Sequence, residues 1–404
     1  MAHHTARPIT LPAATCDDVS HTILPALERA LCGQGPPITP LGSGPDIEGI
    51  RAALAPHRPL EADGIAAVLP TSGSTGEPKL ALLGANALRA SADATHDRLG
   101  GPGTWLLALP VTRVAGLQVL VRSLLAGTTP EVLPFRSDGR SGPGGSGFAE
   151  AFAAGTQRLR HRSTGRLYTA LVPTQLTRLI QAGGAAVEAL VGYDGVLLGG
   201  GPTPSALRSA AEAVGVRVVT TYGMTETCGG CVYDGRPLRD VRIRLDDDGR
   251  VRLAGPVLFS GYRGRPGLTA ETLQDGWLVT QDLGRLDSSG RLELIGRVDD
   301  VVVSGGVNVP LPAVDAALCA LPGVAEAAAC GVPDPEWGTK VVAYIVPRPD
   351  VRVPELDEIR EGVAATCPRE YAPKELYVVD RLPLLPSGKL DRAALRTQAS
   401  NVTS

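Results

Sequence analysis

The run Thr71-Ser72-Gly73-Ser74-Thr75-Gly76-Glu77-Pro78-Lys79 is the stretch whose residue types point most directly to chemistry. Small hydroxyl side chains and glycines leave backbone N–H groups open to an approaching polyphosphate, and Lys79 adds a cation. An apolar run leads into it, as a strand would. The ordinary triphosphatase loop carries Gly-Lys-Ser/Thr after four residues, and Pro78-Lys79 in its place excludes that loop. Taken alone, the run also fits a Ser/Gly turn. Gly199-Gly200-Gly201-Pro202 is a second place where backbone can approach a ligand closely, and alone it too is a weak turn signal. Cys228 and Cys231 have the spacing of half a zinc site or a redox pair. No second pair and no nearby histidine completes a metal site, and no strand–CxxC–helix context surrounds them, so they read as two ordinary thiols. Gly142, Gly144 and Gly147 match a dinucleotide fingerprint only in spacing, without a preceding strand or a following acidic partner. Asp246-Asp247-Asp248-Gly249 lacks the spacing of a calcium loop and reads as a turn.

Elements must hold these residues in place. Apolar runs at 65–69, 105–109, 167–172, 195–198 and 216–220 predict short buried strands. Helical patterns lie between them at 115–126, at 173–181 (opened by Pro173, closed by Gly183) and at 204–214, opened by Pro204. This alternation predicts α/β layers with largely parallel strands. Residues 136–147 are rich in Gly, Ser and Pro and read as a surface loop. After Tyr222 the texture changes. Hairpins at 241–253, turning on Asp248-Gly249, and at 285–294 predict a smaller β-rich region. Beyond Arg297, strands at 301–303, 325–331, 341–346 and 376–379 and helices at 312–321 and 353–365 have an apolar periodicity of their own. They predict a separate α+β domain. The boundary is drawn at 297: a large N-terminal domain, 1–297, and a small C-terminal one, 298–404.

Composition removes several function classes. A chain of 404 residues with 43% hydrophobic and 20% charged residues is that of a soluble globular protein. A net charge of −3 gives nucleic acid or an anionic membrane no handle, and 4% aromatics leave little for base stacking. No apolar run approaches the ~20 residues of a membrane span. Residues 1–15 lack the basic start and apolar run of a secretory leader. A cytoplasmic location is expected, with the seven scattered cysteines as free thiols. The sequence does not fix the oligomeric state, and a homodimer stays open.

The loop from Thr71 to Lys79 resembles the phosphate-binding loop of the adenylate-forming superfamily, which includes acyl-CoA synthetases, peptide-synthetase adenylation domains and luciferases. Leu80 stands where that family usually has Gly. Further matches follow in the family's order. Gly199-Gly200-Gly201-Pro202 resembles the adenine pocket. In Thr221-Tyr222-Gly223-Met224-Thr225-Glu226-Thr227 the resemblance assigns Tyr222 to adenine stacking, Thr225 to the α-phosphate and Glu226 to Mg²⁺. A carboxylate plus phosphate oxygens is what Mg²⁺ prefers, and ATP's charge must be neutralised before an anionic carboxylate attacks it. Asp282 matches the ribose-binding aspartate, Arg297 a ribose and phosphate contact, and Asp299 the hinge between domains. Lys389, in Pro386-Ser387-Gly388-Lys389, matches the catalytic lysine. An ammonium there would stabilise the charge that builds on the pentavalent phosphorus. The matches run from about Leu69 to Arg392. They imply a large adenylate-forming domain with a small β-rich subdomain and a mobile C-terminal domain. They also imply ATP, Mg²⁺ and coenzyme A as reactants.

Residues 92–103, Leu120-Val121-Arg122-Ser123, Leu171-Val172-Pro173-Thr174-Gln175-Leu176 and 229–235 narrow the resemblance to o-succinylbenzoate–CoA ligases of menaquinone biosynthesis, in their short actinobacterial form. That implies a ligase forming a carbon–sulfur bond, with an acid pocket that includes Arg113, Thr169, Gly200 and Gly229. Arg113 replaces the family's usual His. It could hold one of the substrate's two carboxylates, or be a neutral change at the gate to the thiol channel. Ser304-Gly305-Gly306-Val307 matches the loop that faces the site during thioester formation, with Gly305 and Gly306 allowing close approach of coenzyme A. Two alternatives remain: an enzyme that activates another acid or loads a carrier protein, and a binder of acid or nucleotide without turnover. Retention of Lys79, Glu226, Asp282, Arg297 and Lys389 speaks against the binder.

Overall fold

The structure is a computed structural model that describes residues 7–10, 18–42, 47–71, 79–134, 147–349, 351–383 and 390–402. Packing divides the chain into two compact units. The first is Met1–Arg244 with Arg252–Val279, and the second is Leu245–Val251 with Thr280–Ser404.

Two sheets organise the first unit. One joins β1 (Arg7–Thr10), β2 (Ile38–Leu41), β3 (Ile65–Thr71) and β4 (Lys79–Gly84) in that order, with only the β3–β4 pair antiparallel. The other has the order β11-β10-β9-β8-β7-β5-β6, using β5 (Thr104–Leu107), β6 (Glu131–Val132), β7 (Leu167–Leu171), β8 (Gly195–Leu198), β9 (Val218–Met224), β10 (Gly229–Tyr233) and β11 (Arg236–Pro237). Strands β5 to β9 run parallel, β10 turns back antiparallel to β9, and β11 is antiparallel to β10. The expected parallel α/β layering is present. Strands β5, β7 and β8 are apolar without alternation because both their faces are covered.

The helices of this unit are α1 (Leu24–Leu31), α2 (Ile47–Leu54), α3 (Ala85–Leu99), α4 (Val114–Leu125), α5 (Phe148–Arg162), α6 (Pro173–Ala182), α7 (Gly184–Val191), α8 (Ser205–Ala213) and α9 (Pro266–Thr272). Helix α6 starts where the sequence predicts. Pro173 occupies its first turn, and the Gln175 side chain accepts from the Val172 N–H at 2.9 Å. Phe148, Phe152 and Leu159 of α5 join Leu176 and Leu179 of α6 against Leu106, Leu171 and Val196 of the sheet. Each such side chain, fully buried, contributes roughly 1.5–3 kcal/mol.

Sequence and structure differ in three places. The strand expected at 216–220 begins at Val218 and continues to Met224, because Thr220, Thr221 and Tyr222 are themselves good strand residues. Helices α3 and α5 carry weak apolar periodicity: the buried face of α3 is mostly Ala, Ser and Thr, and that of α5 interrupts Phe148, Phe152 and Leu159 with Gly155 and Thr156. The C-terminal helix expected at 353–365 begins only at Leu356. Pro354 disfavours helical geometry at Val353, and Glu358 reaches back to the Glu355 N–H at 2.8 Å to cap the start.

The boundary expected at 297 also moves. Strand β15 (Trp277–Leu286) begins in the first unit, where it pairs with β14 (Leu273–Gln274). It ends in the second, paired antiparallel with β16 (Leu292–Arg297). The hairpin of β12 (Arg242–Leu245) and β13 (Arg250–Ala254) turns at Asp246–Gly249 as expected, and its tip belongs to the second unit.

The rest of the second unit holds β17 (Val301–Ser304), β18 (Val307–Pro310), α10 (Leu311–Cys319), β19 (Val324–Asp334), β20 (Gly338–Pro347), α11 (Leu356–Ala364), β21 (Glu375–Val378) and α12 (Arg392–Val402). Strand β20 alternates with period two. Val341, Ala343 and Ile345 face Val314, Leu318 and Ile359 of α10 and α11, while Val342 and Tyr344 face Leu395 and Ala399 of α12. Both faces of this sheet are thus covered, and the α+β expectation holds for the C-terminal segment.

Candidate active site

Parallel strands β7, β8 and β9 finish at one edge of their sheet, the edge where open α/β sheets bind ligands. The register Leu198↔Thr220 sets Gly199 beside Thr221. A Cβ added at Gly199 would stand 2.3 Å from Thr221 Oγ1, and one at Gly223 only 2.1 Å from the Gly229 carbonyl. The glycines at these points are therefore required by close backbone approach. They bring Gly199-Gly200-Gly201-Pro202, Thr221-Tyr222-Gly223 and Gly229 together. Gly200 has φ +80°, and no atom of the described residues lies within 4 Å of a Cβ at Gly201, which leaves space there for a flat ring.

Thr225 and Glu226 stand on the 3-10 turn Thr225–Thr227 that succeeds β9. Thr227 locks the turn: its hydroxyl accepts from the Met224 N–H at 2.9 Å and lies 2.7 Å from the Gly229 carbonyl. The Thr225 hydroxyl and one Glu226 oxygen have no partner among the described residues. The other Glu226 oxygen accepts from the Tyr262 hydroxyl at 2.7 Å. Burial, and then the Glu226 carboxylate itself, push the Tyr262 hydroxyl far above its ordinary value, so Tyr262 remains a donor. One free carboxylate oxygen in a fixed orientation suits a Mg²⁺ that draws its other ligands from phosphates and water. Among the described residues no group of three or more His, Cys, Asp or Glu could hold a metal without such help.

Thr71 and Lys79 are cross-strand partners, so both ends of the phosphate-loop candidate are pinned. Ser72, Gly73, Ser74, Thr75 and Gly76 lie outside the described residues. Strand β4 is sewn to the segment carrying Tyr262 by Leu82 N–H to Gly261 O, Ser260 N–H to Leu82 O and Arg263 N–H to Leu80 O, at 2.8–2.9 Å. Lys79 and Glu226 are thereby tied to one scaffold. Leu80, at the family's glycine position, is buried.

Helix α4 lines the other side of Gly229. Arg113 is its extended N-cap and is exposed. Gln118 donates to the Cys228 carbonyl at 2.8 Å, and its Cγ lies 3.3 Å from a Cβ at Gly229. One turn on, Arg122 is 3% exposed. Its guanidinium lies 5.0 Å from the Trp105 ring centre and donates to the Tyr233 hydroxyl at 3.4 Å, and its Nε has no partner among the described residues. No carboxylate neutralises it among the described residues. Burial lowers its affinity for a proton, and Tyr233 offsets this only in part. Arg263 shows how this chain satisfies a structural arginine: four carbonyls (Leu54, Ala55, Arg58, Pro59) and Glu61 surround it. Against that standard Arg122 is an uncompensated buried cation, with orphaned Gln118 Oε1 one turn before it and orphaned His96 Nε2 in the same interior. Tyr233 connects it to the site edge, since its ring stands 2.9 Å from a Cβ at Gly230.

Thr169 does not reach that edge. It is fully buried in β7 and donates to the Leu106 carbonyl at 3.1 Å. Cys228 and Cys231 are also fully buried, and burial pushes the Cys231 thiol up to about 12 and Cys228 further, as inert thiols require. Asp282 and Arg297, in the second unit, are register partners on β15 and β16, with Arg297 Nη1 3.4 Å from Asp282 Oδ1. Asp299 lies in the turn Val298–Asp300, 3.6 Å from Arg297. Gly305 and Gly306 form the two-residue turn of the β17–β18 hairpin, at φ +56° and +83°, the positive values such turns demand. Lys389 lies outside the described residues. Arg122 lies in a segment that carries the resemblance but is given no role there, and Tyr262 lies in no motif. A lone cation inside Val-Ala-Gly-Leu-Gln-Val-Leu-Val-Arg-Ser-Leu-Leu was a usable signal for the first. Nothing local marks the second.

Two family models match this chain. The AMP-binding enzyme model matches residues 36–263 and the AMP-binding enzyme C-terminal domain model matches 313–389. This chain belongs to the AMP-binding enzyme family. It is 44% identical to a probable 2-succinylbenzoate–CoA ligase of Mycobacterium tuberculosis over 375 residues, 92% of this chain and 94% of that protein. It is 31% identical to the 2-succinylbenzoate–CoA ligase of Bacillus subtilis, over 87% of this chain and 73% of that one. Among solved structures, o-succinylbenzoate CoA synthetase from Bacillus subtilis, in complex with its acyl-adenylate intermediate, superposes with a TM-score of 0.71. The identity is 28%, over 84% of this chain and 70% of that one. MatB from Rhodopseudomonas palustris with ATP bound gives a TM-score of 0.72 at 26% identity, over 92% of this chain and 76% of that one. No helix among the described residues is long and apolar enough to cross a membrane.

Proposed function

We propose that this chain joins o-succinylbenzoate to coenzyme A at the expense of ATP, releasing AMP and pyrophosphate. The observation that carries this reading is Arg122. A substrate with two carboxylates presents one for activation and must leave the other bound. A buried cation without a counter-ion among the described residues, one helical turn past the residue that touches Gly229, would take that second carboxylate. The names of the relatives point to the same acid.

In the first half-reaction the backbone from Thr71 to Lys79 would hold the triphosphate, and the glycines at 199–201 with Tyr222 the adenine. Glu226 would hold Mg²⁺, which supplies charge neutralisation at the phosphates. Thr225 and Lys389 would steady the α-phosphate as the substrate carboxylate attacks and pyrophosphate leaves. Asp282 and Arg297 would hold the ribose. In the second, a swing of the 298–404 segment about Asp299 would present Gly305 and Gly306, and the thiol of coenzyme A would displace AMP. Such a reaction belongs in the cytoplasm, where ATP and coenzyme A are found. Arg113, exposed at the head of α4, would sit at the entrance and not at the buried carboxylate.

The test is acid-dependent ATP–pyrophosphate exchange across o-succinylbenzoate, benzoate, 4-oxo-4-phenylbutanoate and short fatty acids. Exchange with o-succinylbenzoate well above the single-carboxylate acids, and then thioester formation with coenzyme A, is expected. A flat response across the panel would remove the assignment of the acid, and no exchange with any acid would remove the ligase.

A further inference from the structure

Arg122 Nε, Trp105 Nε1, Gln118 Oε1 and His96 Nε2 are buried and without partners among the described residues. The Gln118 amide is fixed. Its Nε2 donates to the Leu88 carbonyl at 3.3 Å and to the Cys228 carbonyl at 2.8 Å, so both hydrogens are engaged and its oxygen can only accept. Tyr233 is fixed as well. The Thr95 hydroxyl donates to the Ser91 carbonyl at 2.8 Å, so it accepts from the Tyr233 hydroxyl at 3.0 Å, which in turn accepts from Arg122. Neither Gln118 nor Tyr233 then has a hydrogen left for an incoming carboxylate. His96, next to Thr95 on α3, can supply one.

His96 lies in the last turn of α3 and is 7% exposed, with Nε2 wholly buried. Burial opposes an imidazolium there most, then Arg122 on α4, while Asp93 and Asp97 on its own helix favour one. Asp97 also pairs with Arg239, Arg98 on the same helix pairs with Asp234, and Tyr233 on β10 is a neutral hydroxyl. The carbonyl end of α3 itself favours a cation. Arg122 is therefore the opposing charge that a ligand can remove. A carboxylate seated on it cancels that charge and adds a negative one, and both changes draw a proton onto the ring.

We propose that His96 is a specificity-determining residue: it takes up a proton from solvent as the second carboxylate of the substrate settles on Arg122, and the imidazolium then donates from Nε2 to that carboxylate. Arg122 and His96 together would recognise a dicarboxylate, with Asp93 and Asp97 supporting the ring. This rests on the proposed function, in which Arg122 receives the carboxylate that is not activated. The sign follows from the coupling. Binding that takes up a proton strengthens as pH falls through the range in which His96 is neutral when free and charged when the site is filled.

The experiment uses the unmodified full-length enzyme, H96Q and H96F. Titration calorimetry with o-succinylbenzoate at pH 7, in buffers of different ionisation enthalpy, gives the protons taken up per acid bound. The unmodified enzyme should take up about half a proton or more, and H96Q close to none. Pyrophosphate exchange is then measured with o-succinylbenzoate and with 4-oxo-4-phenylbutanoate, which lacks the second carboxylate. The ratio of their kcat/KM values should rise severalfold from pH 8.5 to pH 6.5 in the unmodified enzyme and stay level in H96Q. H96F, with no donor at all, should lower the ratio about tenfold at pH 7. Thermal midpoints of both variants separate loss of fold from loss of recognition. Proton uptake in H96Q equal to that of the unmodified enzyme, no uptake in the unmodified enzyme, or a ratio there that ignores pH would overturn the role of His96. No preference of the unmodified enzyme for o-succinylbenzoate over the monocarboxylate would instead overturn the proposed carboxylate site, and with it this inference.

Discussion

Replacing Arg122 by methionine gives two readouts that move in different directions. In the free enzyme the guanidinium is desolvated and, among the described residues, has the Tyr233 hydroxyl and the Trp105 ring as its partners. Exchanging a buried, poorly paired charge for an apolar side chain of similar length is often neutral or stabilising, by about 1–4 kcal/mol. Loss of the ring contact offsets this by about 0.5–2 kcal/mol. The thermal midpoint of R122M should therefore stay level or rise. With substrate bound the balance reverses. A carboxylate deprived of its buried partner loses about 2–5 kcal/mol, and each 1.4 kcal/mol is about tenfold. The kcat/KM for o-succinylbenzoate should fall by at least about thirtyfold, while that for 4-oxo-4-phenylbutanoate should barely change. Pyrophosphate exchange with both acids, together with a thermal melt, decides the matter. A lower midpoint with the same loss for both acids would mean that Arg122 is a packing residue, and the reasoning from its unmet charge would fail.

Tyr262→Phe removes the donor that orients Glu226, and the Mg²⁺ concentration for half-maximal exchange should rise by about tenfold while the fold is kept. A Mg²⁺ titration checks this, and an unchanged midpoint refutes it. Gly223→Ala puts a Cβ 2.1 Å from the Gly229 carbonyl, so the strand edge must shift, costing about 1–3 kcal/mol; nucleotide binding by titration calorimetry should weaken at least tenfold. His96 is held below the ordinary histidine value, first by burial and then by Arg122. A histidine with a lowered folded value leaves stability intact above its unfolded value and removes it as pH falls through that value toward the folded one. Melts of H96Q should therefore lose less between pH 7.5 and 5.5 than those of the parent, and parallel losses would exclude His96 as the source.

How much of the molecule was legible in the sequence depends on what kind of interaction fixes each part. Strands β7 and β8 and helix α6 declare themselves, because continuous apolar runs and a Pro/Gly pair are local signals. The order of motifs singles out Gly199, Thr221 and Glu226 along the chain. Their nearness in space comes from the strand register, which no single segment encodes. Tyr262 reaches Glu226 across 36 residues, through a bridge to β4 that has no sequence pattern. Arg122 stands where a charged residue would ordinarily mark the solvent face of an amphipathic helix; the apolar run around it is a hint, and its burial makes the point plain. The difference at the domain boundary has the same root. Arg297 ends a β-rich stretch in sequence, yet β16 packs with the C-terminal segment. Gly296 lies against Pro312, with Pro312 Cγ 3.3 Å from where a Cβ would stand.

Strand β15 has a bearing on how such genes can be recombined. It runs unbroken from one compact unit into the other, so no linker marks a natural splice. A crossover after Arg297 would give Gly296 and Pro312 different parents and leave an unmatched seam inside the second unit. A crossover before Thr280 would transfer Asp282, Arg297, Asp299, Asp300 and Arg392 as one inherited block. Along a lineage, the residues proposed to hold the ribose should then share their ancestry with the lysine-bearing tail, and not with the glycine edge beside which Thr225 and Glu226 stand.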